Sequence, residues 1–240
     1  MGFFGFFGNN TPTEKQIAKQ VTHLKEQYAK PEYRQMAMDK LLEWGTRECL
    51  VGLLNRFKVV VQSPHWDEEE KRWLVNEMAK RGELAKDVLR EFVMNENEVT
   101  YAIESLSKLC SKTELVQILR TALQARSPED YRSSMSKMEL IAALEDHDPT
   151  DLSDLILPYL EDHHDDVKCM TLDVLTRKKS SPAYSKITSM LSDDSHSARV
   201  LRHTASKVND LNLELPEGTN LAPEVAEDFE LKSGKLVARA

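Results

Sequence analysis

Ten Asp or Glu and three His (His147, His163, His164) fall between residues 138 and 167, a stretch with no Lys or Arg. Carboxylates and imidazoles are the ligands of divalent cations, so a metal site is the first chemistry these residue types suggest. Their placement argues against one shared centre. Glu145, Asp146, His147 and Asp148 lead into a helix predicted over 151–160, and Asp162, His163, His164, Asp165 and Asp166 leave it. Ten helical residues span about 15 Å, which holds the two clusters apart. No metal and no cofactor are expected, and the acids are read as solvated turns.

A basic counterpart follows in the chain. Arg199, Arg202, His203 and Lys207 stand at i, i+3, i+4 and i+8 of a predicted helix, and Arg177, Lys178 and Lys179 end an earlier one. These seven form the candidate binding face. It reads as a seat for the chain's own tail, a site for an anionic partner or a plain solvated face; the first is suggested because residues 177–210 hold seven basic and three acidic side chains whereas 211–240 hold three and six. The formal net charge of −8 argues against a dedicated nucleic-acid binder, since neutralisation of phosphates by Lys and Arg supplies most non-specific affinity. There is no H-E-x-x-H and no G-x-S-x-G, and the histidines lie mostly in predicted turns rather than beside a Ser or Cys nucleophile, so the chain is expected not to be an enzyme.

Cys49, Cys110 and Cys169 include no C-x-x-C pair, and an odd, sparse set fits buried thiols in a reducing compartment. No run of 18 apolar residues is present, so no integral membrane insertion is expected and the cytoplasm is the expected location. Four of the seven Phe crowd into Gly2-Phe3-Phe4-Gly5-Phe6-Phe7-Gly8. Phe3, Phe4, Phe6 and Phe7 read as a docking segment for protein, in cis or in trans. Peripheral membrane contact is the second reading, weakened by the absence of Lys and Arg.

The elements that must carry these residues are helices. Only 8 Gly and 9 Pro occur in 240 residues, and apolar side chains recur with helical spacing, as in Ile17, Val21, Leu24 and Tyr28, or Leu84, Val88, Leu89 and Phe92. Breakers separate the periodic units at Pro31, Gly45-Thr46, Ser63-Pro64, Gly82, Ser127-Pro128, Asp148-Pro149 and Ser181-Pro182, giving about twelve helices in pairs. The second helix of each pair repeats a basic residue followed by apolar or small ones. Arg34, Arg72, Thr100, Lys137, Lys168 and Arg199 mark successive units, with Thr100 keeping the spacing and losing the charge.

On these residues the chain resembles the HEAT-repeat family, especially its short bacterial type. Leu155-Ile156-Leu157-Pro158-Tyr159-Leu160-Glu161-Asp162, then His163-His164-Asp165-Asp166-Val167-Lys168, is similar to that family's first helix, acidic turn and Val-Arg opening of the second. The resemblance implies an all-α, right-handed α-α superhelix over residues 13–210, a solenoid of about six helix pairs whose second helices line the concave side. The longer connector around Val59 to Asp67 departs from the pattern. By analogy with the family, the marker cations are expected to meet acids of neighbouring units, with Asp165, Asp166, Asp193 and Asp194 as available partners. Residues 1–12 form the Phe-Gly segment. Residues 211–240 form an acidic tail, in which Phe229–Lys232 and Lys235–Arg239 read as two short strands about Ser233-Gly234. Such a hairpin is marginal alone, so it either packs on the last helices or the tail is a free appendage.

Solenoids offer long curved surfaces and little enclosed volume, so the expected function is a non-catalytic scaffold binding a protein or peptide on the concave face. The rival is an enzyme or enzyme subunit, since HEAT-like groups include bilin lyase subunits and DNA glycosylases. The second kind needs a basic concave face beside aromatic and acidic residues. Trp44, Trp66 and Trp73 lie instead in the first two units, far in sequence from the basic end.

Overall fold

The structure is a computed structural model that describes residues 11–239. It is mostly helical, with one small hairpin near the C-terminus. Contacts divide the described residues into two compact units, the first ending at Leu115 and the second beginning at Val116.

The first unit opens with α1 (Glu14–Lys25) and α2 (Pro31–Trp44), which pack on each other. Thr13 and Gln16 start α1 with a capping box, each side chain bonding the other's backbone N–H. Pro31 takes the first position of α2, where its missing N–H costs nothing, and Gly45 ends that helix at φ 61°. Tyr28 departs from the expected periodicity: α1 stops at Lys25, and the ring stands 84% exposed in the connector. Then come α3 (Arg47–Leu53), the single turn α4 (Asn55–Lys58), α5 (Pro64–Ala79), α6 (Gly82–Asn95) and α7 (Thr100–Leu109). The first helices α1, α3 and α6 pack in sequence, as do α6 with α7 and α5 with α7. A Cβ on Gly52 would lie 2.8 Å from Val21 Cγ2, so glycine is what lets α3 approach α1.

The division falls within α8 (Lys112–Gln124), and the second unit continues with α9 (Ser134–His147), α10 (Ser153–Ile156), α11 (Asp165–Arg177), α12 (Tyr184–Met190) and α13 (Ala198–Asp210). The helix expected over 151–160 is α10 followed by a 3-10 segment, Leu157–Glu161. Pro158 has no N–H to bond four residues back, so the tighter winding follows. Tyr159 anchors this segment: its hydroxyl donates to the carbonyls of Leu123 (2.7 Å) and Arg126 (2.8 Å), and burial pushes its pKa up to about 12. Helices α9, α11 and α13 pack in order, each a second helix of its pair.

Residues 211–239 fold against the last long helix. Strands β1 (Phe229–Lys232) and β2 (Lys235–Ala238) pair antiparallel in the expected register about Ser233 (φ 51°) and Gly234 (φ 76°), two left-handed residues that match the twist of a tight hairpin. One further helix, α14 (Pro223–Asp228), precedes the hairpin, and both α14 and β2 pack on α13. The anchors are Leu215, Ala222, Val225 and Leu236, all buried. Of the side chains expected in that role, Leu215 serves, whereas Leu211, Leu213 and Phe229 are only half-buried and Leu231 is exposed. Truncation after Asp210 will therefore bare the α13 surface and speed amide exchange in residues 184–210. Exchange in residues 14–58 will stay unchanged, and equal protection of α13 with and without the tail would show that the tail carries no stability.

Candidate functional site

The seven basic residues of the expected binding face are mostly engaged within the second unit. Arg177 on α11 holds Glu145 on α9 through two bonds of 2.7 Å, and Lys178 donates to the carbonyl of Asp148 at 2.7 Å. His203 (3.0 Å) and Lys207 (2.8 Å) on α13 both reach Asp173 on α11. Burial pushes the Asp173 carboxyl up, and these two partners more than reverse it, so it lies below the ordinary carboxylate range. Arg199 meets Asp166 at 2.5 Å, and Arg202 meets Glu227 (2.7 Å) and Asp228 (3.0 Å) at the end of α14. Lys179, at φ 51°, has no ion pair among the described residues. The charge reversal in the sequence thus corresponds to rungs between successive second helices and one clasp to the tail. Exposed pairs of this kind contribute about 0–1 kcal/mol each, so the buried apolar anchors dominate the cap.

The acidic and histidine-rich stretch is only partly the solvated surface expected, since Asp148 and Asp162 are buried by their hydrogen-bond partners. Asp148 accepts from Arg120 (2.6 Å) and from Thr150; Asp151 accepts from Ser153 and Ser180; the His164 ring accepts the N–H of Asp166 at 3.2 Å. Among the described residues no group of three His, Cys, Asp or Glu is arranged to hold a metal ion. Cys110 and Cys169 are half-buried, and burial pushes both thiols up, away from the reactive thiolate.

The marker cations occupy four distinct settings. Lys137 is fully buried and donates to Asp162 (2.5 Å) and to the carbonyls of Asp130 (2.9 Å) and Ser127 (3.2 Å). Lys168 lies 3.2 Å from Nδ1 of His196, whose side chain is fully buried and whose Nε2 finds no hydrogen-bond partner among the described residues. Arg34 is buried against Glu70, with bonds of 2.7 to 3.1 Å. In the second unit of the repeat the buried position belongs to Lys71; Arg72 is 62% exposed and pairs with Glu68 on its own helix.

Burial, followed by the Lys168 charge, lowers the His196 pKa below its ordinary 6.5. Lys168 and Lys186 oppose its protonation, and Glu161 and Asp193 favour it. The unfolded chain therefore takes up a proton that the native chain refuses, and stability falls as pH drops below about 6.5. The urea midpoint of the native chain will fall between pH 7.5 and 5.5, and His196→Gln will flatten that slope; identical slopes in the two chains would contradict it.

Around Arg34 the first unit holds a buried polar cluster. Arg56, 0% exposed, donates to Glu70 (2.7 Å), Asp67 (2.8 Å) and the Val59 carbonyl (2.8 Å); Lys71 donates to Asp67 (2.7 Å) and sits 5.3 Å above the Tyr101 ring. Burial pushes the Asp67 carboxyl up, but Lys71, Arg56 and the Val61 N–H bring it below its ordinary range. This cluster accounts for the long connector at 59–67. The connector's backbone is bonded into the cluster, which also ties α2 to α5.

Because the tie is made by long side chains, an open groove of about 470 Å³ remains between α2 and α5. Pro31, Glu32, Gln35 and Met36 form one wall, and Trp66, Glu69, Glu70 and Trp73 the other. Met36 is 67% exposed, Tyr33 62% and Trp66 44%, on helices whose opposite faces are buried. A second hollow of about 230 Å³ continues past Pro31 and Trp66 to Tyr28, Ala29 and Val61. The signal for this surface is present in the chain as Trp66 and Trp73, spaced seven residues apart on one helical face. Trp44 lies outside it, with Lys40 over its ring at 5.4 Å. Phe3, Phe4, Phe6 and Phe7 lie outside the described residues.

The fold defines a mostly helical protein with a small hairpin, and no helix among the described residues is long and apolar enough to cross a membrane. Compared with known proteins, the chain matches no family model, no curated relative and no solved structure.

Proposed function

We propose that the chain is a non-catalytic interaction scaffold, a right-handed HEAT-like solenoid of about six helix pairs that binds a protein or peptide on the side lined by its second helices, in the cytoplasm. The observation that carries this reading is the α2–α5 groove. Two second helices are joined beneath the surface by the buried Arg34–Glu70 ion pair, and above it Trp66 and Met36 stay open to solvent while Trp73 is half-buried. Exposed aromatic surface of this kind, rimmed by polar groups, is characteristic of interaction sites. The basic residues of the second unit support the reading differently: they bind one another's helices, which keeps a repeat stack in register.

The test is recovery of partners from the native host with the full chain, the Met36→Glu/Trp66→Ala chain and the Lys179→Ala chain. A reproducible partner kept by Lys179→Ala and lost by the groove variant supports the scaffold. Retention by the groove variant, or turnover of a substrate by the purified chain, overturns it.

A further inference from the structure

We infer that the α2–α5 groove takes a cationic linear segment, a peptide in extended conformation that sets a Lys or Arg side chain against Trp66 and Trp73 with its charge facing Glu32 and Glu69. The inference rests on the scaffold reading and names the chemistry of the partner. On α5 the residues Trp66, Glu69, Glu70 and Trp73 stand at i, i+3, i+4 and i+7, so they share one face. On α2, Glu32, Gln35 and Met36 stand at i, i+3 and i+4 and make the opposite wall. Each wall therefore sets a carboxylate beside large apolar surface.

The charges are not equivalent. Glu70 is 5% exposed and fully engaged by Arg34 and Arg56, so it contributes no free charge. Among the described residues Glu69 has only His65, 3.4 Å away and itself 75% exposed. Glu32 makes no ion pair or side-chain hydrogen bond among the described residues; no Lys or Arg lines the groove, and Arg34, which lines the adjoining hollow, is held by Glu70. An anionic occupant would meet two carboxylates, and a neutral apolar one would cover them without supplying a partner. A cation satisfies both and gains from the aromatic faces. The shape favours a chain over a compact molecule. The groove is open and runs on past Pro31 and Trp66 into the hollow beside Tyr28 and Val61, so an extended peptide can place alternate side chains in successive subsites.

The test uses the full chain with 15N-labelled tryptophan, which gives three indole signals, and three synthetic peptides. These are acetyl-Gly-Leu-Lys-Phe-Arg-Leu-Gly-amide, its counterpart with Glu at both charged positions, and its counterpart with Gln there. The basic peptide will shift the indole signals of Trp66 and Trp73 and leave Trp44 in place. Its Kd will rise at least tenfold in Glu32→Lys/Glu69→Lys, and the Gln peptide will bind at least tenfold more weakly than the basic one. Equal binding of all three peptides, binding unaffected by the charge reversal, or no binding of any of them overturns the inference. The scaffold reading is decided separately, by whether the host partner is lost from the groove variant.

Discussion

Glu70→Ala will destabilise the chain by about 3–5 kcal/mol, the usual cost of removing one member of a buried ion pair. Among the described residues Glu70 is the only carboxylate bonded to Arg34, and it shares Arg56 with Asp67. Its loss leaves Arg34, 2% exposed, without its countercharge and Arg56, 0% exposed, with Asp67 alone. Backbone carbonyls of Glu26 and Ala29 still accept from Arg34, but they carry no full charge to balance it. For a chain of this length the expected fall in Tm is on the order of 10 °C by calorimetry or circular dichroism. Glu70→Gln keeps the shape and some of the bonds, so it will fall between wild type and Glu70→Ala. Trp66→Ala, on the exposed wall of the same groove, will cost far less. A Glu70→Ala chain as stable as wild type would mean that water enters and solvates the cluster.

Lys137→Met will cost a similar amount, about 3–5 kcal/mol, by stranding Asp162. Both side chains are 0% exposed, and Asp162 also accepts the His164 N–H at 2.8 Å, so its position is fixed when the lysine is gone. The double variant Lys137→Met/Asp162→Leu removes both charges and will recover much of the loss, since replacing a buried pair by apolar side chains is often neutral or stabilising. Urea unfolding of the two single variants and the double gives the coupling free energy. Additive losses would show that the two side chains act independently.

The helices were legible because their signals are local. Pro31, Gly45-Thr46, Ser63-Pro64 and Gly82 each fall at a helix boundary, and the Ser233-Gly234 hairpin is set by a two-residue turn. The short helix α14 was not read, because six residues carry too little periodicity and Val225 is buried only by tertiary packing. Repetition exposed the marker cations, yet it could not say which would be buried. Lys71 and Arg72 are adjacent, and a rotation of one residue on α5 decides that Lys71 faces Asp67 while Arg72 faces solvent. The groove was hidden for a related reason. Its walls belong to helices some thirty residues apart, and only the Arg34–Glu70 tie shows that α2 and α5 leave open space above it. A basic run in sequence says nothing about the acids it will meet: Asp173, Glu145 and Asp166 are each supplied by a neighbouring helix.

Site-specific photo-crosslinking in living host cells tests the central claim most directly. A benzophenone amino acid placed at Met36, in the groove, is compared with the same group at Lys19, exposed on α1. The scaffold account predicts a discrete adduct at position 36 that is absent at position 19 and is lost when Trp66→Ala is added. No adduct at position 36, or the same adducts from both positions, would contradict it.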